Sequence, residues 1–79
     1  MSPEAFPLQF LAPGQTADID QVLGDPQSVH RLLEMGMRVG HQIEMVQTGD
    51  PCIVRLGGHK LCIRDGSHFQ VLVRTRDVA

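Results

Sequence analysis

Apolar and polar positions follow two different periods along this chain. Between Asp25 and Gly40 the period is helical: Val29, Leu32 and Leu33 recur at i, i+3 and i+4, Gly36 completes i+7, and His30, Arg31 and Glu34 fall on the far side. Asp25 can accept a hydrogen bond from the first free backbone N–H groups, and Pro26 has its φ preset for the first helical position. Gly36 suits a left-handed helix end, and Gly40 marks a second turn. The spacing predicts one short helix over about residues 26–35, too short to persist alone in water, so it must dock on something.

Elsewhere the period is two. Thr16 to Asp20 alternates with Ala17 and Ile19 inward, and Val22 with Leu23 breaks the alternation, which predicts a bulge or bend before Gly24. His41 to Thr48 places Ile43 and Met45 on one side. Cys52 to Leu56 and His59 to Arg64 flank Gly57-Gly58, a two-residue hairpin signal that also fixes the register, 56 opposite 59 through 52 opposite 63. One face then carries Cys52, Val54, Leu56, His59, Leu61 and Ile63 toward the core. The other carries Ile53, Arg55, Lys60, Cys62 and Arg64 toward water. Phe69, Val71 and Val73 alternate in a last strand, and Leu8, Phe10 and Leu11 supply the first core contacts. Ala12-Pro13-Gly14-Gln15, Gly49-Asp50-Pro51 and Asp65-Gly66-Ser67 are turns. About five short strands, one helix after the first long strand and no helical crossovers predict a mostly β fold, a small antiparallel barrel with the helix over one open end.

The chain's 79 residues, 42% hydrophobic and 20% charged, make one ordinary globular domain over 1–79, with residues 1–7 and 75–79 expected to be poorly ordered. No apolar run approaches the roughly 20 residues of a membrane span, and the start lacks an export pattern, so the expectation is a cytoplasmic protein without membrane insertion. A formal charge of −2, three Phe and no Trp or Tyr argue against nucleic acid, which needs cationic surface and stacking platforms. The two cysteines fall on opposite faces of the hairpin, so they are expected as free thiols, Cys52 in the core and Cys62 outside.

Candidate chemistry is sparse. Ser2, Ser28 and Ser67 lack a nucleophile-elbow context and no Gly-rich loop ends in Lys-Ser or Lys-Thr, so no enzyme is expected. His30 and Glu34 stand at the i, i+4 spacing that lets two side chains reach one ion, and Asp65 with His68 is a looser pair. Zinc wants four donors, so these residues predict at most a surface divalent ion, Zn or Fe(II), shared between molecules, and no required cofactor. A metal sensor or carrier is the alternative reading. Two surfaces could dock a protein: Arg31, Glu34, Met35 and Arg38 along the helix and its exit, where a flexible thioether lies beside charges, and Ile53, Arg55, Lys60, Cys62 and Arg64 on the hairpin.

Taken in order, Leu8, Leu11, Pro13 and Gly14, then Arg31-Leu32-x-x-Met35-Gly36-Met37-x-x-Gly40, then Gly49-Asp50-Pro51 and the Gly-Gly hairpin resemble the FeoA family, the small cytoplasmic companions of the bacterial ferrous-iron permease FeoB. The resemblance covers residues 8 to 73. It implies an SH3-like barrel and a role in ferrous iron uptake, by docking on the cytoplasmic, GTP-binding part of a FeoB-like permease and without chemistry of its own. A similar domain ends some iron-dependent repressors; with no DNA-binding helices in these residues, the stand-alone form is expected. Val39 stands where the family often has Pro, and His68 where it usually has Ala, so His68 must reach solvent or a hydrogen-bond partner.

Overall fold

The computed structural model describes residues 4–64 and 68–75. The one α-helix among the described residues, α1 (Pro26–Glu34), begins as the sequence predicts: the Asp25 carboxylate accepts hydrogen bonds from the Ser28 N–H at 3.0 Å and the Ser28 hydroxyl at 2.8 Å. It ends in a paired set of backbone bonds, Gly36 N–H to Leu33 C=O at 3.0 Å and Met37 N–H to Leu32 C=O at 2.9 Å, with Gly36 at φ +97°. This arrangement satisfies carbonyls the helix leaves open and reverses the chain into the core. The apolar stripe is narrower than its spacing suggests. Leu32 is buried, Val29 half-buried and Leu33 exposed, because Met37, fully buried just beyond the turn, takes the next place in the core.

Among the described residues six strands form one antiparallel sheet: β1 (Phe6–Pro7), β2 (Thr16–Gly24), β3 (Gln42–Gln47), β4 (Cys52–Leu56), β5 (His59–Ile63) and β6 (Phe69–Arg74), in the order β1-β6-β2-β3-β4-β5. The sequence predicts about five. The additional strand is β1, two residues of the expected disordered lead-in, which pair Phe6 with Val73 and Pro7 with Leu72 at the margin of the sheet, where a proline is tolerated. A 3-10 turn over Leu8–Phe10 follows, closed by the Leu11 N–H on the Leu8 carbonyl at 3.1 Å. In such a turn positions i and i+3 align, so Leu8 and Leu11 are buried together while Phe10, expected in the core, is 74% exposed.

The expected irregularity in the first long strand lies at Asp20, where the pairing with β6 slips between Ile19 and Gln21, and the strand continues through Val22 and Leu23 to Gly24. The bulge turns the Asp20 carboxylate to Arg74, 2.5 Å away. Gly24 is tight against β6: at φ +148° a Cβ would lie 2.6 Å from the Phe69 Cα and on the His68 carbonyl oxygen.

The Gly57-Gly58 hairpin has the predicted register, Cys52 opposite Ile63 through Leu56 opposite His59. Cys52, Val54 and Leu56 are buried, Leu61 and Ile63 are half-buried against the core, and His59, assigned to the core face, is exposed beside the loop. Both cysteines are thiols outside any disulfide, Cys52 buried and Cys62 exposed. Ala17, Ile19, Ile43, Met45, Val71 and Val73 complete one core cluster under α1, in a small SH3-like β fold.

Candidate functional site

The site is built where α1 leans over the end of the sheet. Ser28, Arg31, Leu32 and Met35 from the helix face Leu61, Cys62 and Ile63 of β5 and Phe69 of β6 across a groove of about 170 Å³. That volume is below the usual range for small-molecule and cofactor pockets, roughly 300–1,000 Å³, and matches an inserted side chain instead. Its walls are mostly apolar with one guanidinium, Arg31, among them. On the other side of Met35 lies a wider, open depression of about 530 Å³, lined by Glu34, Met35, Gly36, His41, Leu56, Gly57 and His59. Met35, 39% exposed, is common to both.

The four helix residues predicted to dock a partner are all exposed and have different local partners. Arg31 lines the groove. Glu34 accepts from the His30 Nδ1 at 2.8 Å, with both side chains largely in water. Arg38 turns back so that its Nε donates to the Leu33 carbonyl at 3.3 Å, setting a positive charge on the helix C-terminus. Val39 beside it is 67% exposed.

Of the predicted metal-ligating residues, the structure brings His30 and Glu34 together; His68 is exposed, and Asp65 lies outside the described residues. Among the described residues no group of three or more His, Cys, Asp and Glu side chains is placed to hold an ion. His68 tips to solvent while its carbonyl accepts from the Asp25 N–H at 3.1 Å. The Asp25 carboxyl is held below the usual carboxylate range, first by the Ser28 backbone N–H, then by the Ser28 hydroxyl, with a smaller contribution from the nearby His68.

The second predicted surface lies on the outer face of the hairpin, with Arg55, Lys60, Cys62 and Arg64 exposed and Ile53 half-buried. Arg55 opposes Glu44 on β3 and bonds it, Nη1 to Oε1 at 3.2 Å. Cys62 joins this face to the groove, so the two predicted surfaces are continuous at β5. Sequence reasoning missed Leu61, Ile63 and Phe69 as groove walls; the alternation identified their inward side, but their position facing α1 depends on how the sheet curls.

Residues 6–75 match the FeoA domain family. No curated protein sequence is significantly similar to the chain. Among solved structures, the chain is similar to an iron uptake regulatory protein (FeoA), at 27% identity and a TM-score of 0.77, covering 90% of this chain and 97% of that one. It is also similar to the FeoA protein from Chlorobium tepidum, at 23% identity and a TM-score of 0.82, covering 94% and 73%. A manganese-dependent transcriptional repressor shares the fold, at 14% identity and a TM-score of 0.82, covering 96% of this chain and 44% of that one.

Proposed function

The chain belongs to the FeoA domain family, and from that membership we propose that it acts in ferrous iron uptake as a non-catalytic module docking on the cytoplasmic part of a FeoB-like permease. Family membership carries the role in ferrous iron transport, and the first of the solved relatives is named for iron uptake regulation. The docking surface is this chain's own. One observation supports it above the others: the groove between α1 and β5, with an exposed methionine at its lip and a guanidinium in its wall, has the size and chemistry to seat a partner's apolar side chain beside an acidic or carbonyl group. Among the described residues no helix is long and apolar enough to cross a membrane, so membrane attachment in this reading comes through the permease.

The test is co-purification with the permease's cytoplasmic domain. Met35→Asp places a charge at the groove lip, and Arg31→Glu inverts its wall. Each is expected to weaken binding by about 2 kcal/mol, near 30-fold, while leaving the thermal transition in place. Capture unchanged by both substitutions would remove the proposed surface, and normal growth on ferrous iron after deletion of the gene would remove the role.

A further inference from the structure

The open margin of β5 is the feature that the docking reading leaves unused. In a hairpin closed by two residues the flanking pair is hydrogen-bonded, so His59, Leu61 and Ile63 direct their backbone groups to β4. Lys60 and Cys62 therefore direct two N–H and two C=O groups away from the sheet. Among the described residues β5 pairs with β4 alone, and no other hydrogen bond reaches the backbone of Lys60 or Cys62. Natural sheets blunt such margins with proline, bulges or inward charges; β5 has only Lys60.

Two side-chain environments run along that margin. On the outer face stand Arg55, Lys60 and Arg64, with Glu44 bound to the first of them. On the inner side the groove opens at Leu61 and Ile63 against Met35 and Phe69. A strand laid beside β5 would send alternate side chains to these two places. We infer that the β5 margin takes up an extended, acidic segment of another protein as a further strand, with carboxylates toward Lys60 and apolar residues in the groove.

Charge decides against a second copy of this chain as the occupant. An antiparallel β5–β5 pairing that sets Lys60 opposite Cys62 of the other copy would bring the two Lys60 side chains onto one face as diagonal neighbours, a like-charge pair with no acid of either β5 to relieve it. An acidic strand relieves the same face. The inference deepens the docking reading, since it names the chemistry of the segment that reaches the groove.

The probe is an end-capped heptapeptide alternating glutamate and valine, titrated into the ¹⁵N-labelled protein. Expected are saturable shifts centred on the Lys60 and Cys62 amides, with slowed exchange of both. Binding should fall about tenfold with Lys60→Glu. It should disappear when the peptide's alternate amides are N-methylated. Cys62→Pro, which removes an outward N–H that β4 does not use, should abolish it too, and the N-methylated peptide carries the same test should that variant fail to fold. An equal response to a lysine–valine peptide, shifts centred away from β5, or a β5-mediated dimer in the peptide-free protein would each overturn the inference. Co-purification that still depends on Met35 after a failed titration would leave the docking reading standing and remove only the strand addition.

Discussion

Asp25 shows how much one side chain decides here. Its carboxylate receives both the N–H and the hydroxyl of Ser28, so α1 starts at Pro26 and not a turn later. Because its folded-state pKa is depressed from 3.8, the stability it contributes is present above that value and is lost as the pH falls through it and below. Asp25→Ala is expected to lower the melting temperature by about 5 °C at pH 7. The difference from the parent protein should shrink toward pH 3, measured by circular dichroism across that range. His30 and Glu34, by contrast, hold only each other at 2.8 Å in open water. A divalent ion there would have to replace that contact and take its remaining donors from another molecule.

At the scale of elements, the end of α1 separates two methionines that stand two positions apart in sequence. Met35 caps the C-terminus of α1 and faces outward into both concavities; Met37 follows the Gly36 reversal and is wholly buried. Met37→Ala is therefore expected to cost about 3 kcal/mol of unfolding free energy in a urea titration. Met35→Ala should change it by no more than about 0.5 kcal/mol. Spacing alone places both beside the apolar stripe, and only the left-handed turn at Gly36 assigns one to the core and the other to the groove. The hairpin behaves differently, since its loop length dictates every opposing pair and the structure repeats the predicted register throughout. Phe10 illustrates the limit of period counting: a 3-10 turn carries three residues per turn, and the two residues between the aligned pair, Gln9 and Phe10, turn out to water.

Across the whole molecule, protection should follow sheet position. β2, β3, β4 and β6 each pair on two sides and enclose the core, whereas β5 and β1 end the sheet. Amide exchange followed by NMR is expected to be slowest at Ile19, Ile43 and Val54, and to alternate along β5, with Leu61 and Ile63 slow and Lys60 and Cys62 fast. Uniform protection along β5 would contradict its place at the margin.

The mostly β class, the helix with its start and its end, and the hairpin register were legible in the sequence because each depends on contacts within a few residues of chain, where capping, loop length and alternation act. Tertiary structure alone decided the rest: that Phe6–Pro7 joins β6, that Asp20 carries the bulge, and that Leu61, Ile63 and Phe69 stand across from α1 to make a groove. Those contacts join segments tens of residues apart, and they form only when the curl of the sheet brings its two ends under one short helix, which no local spacing encodes.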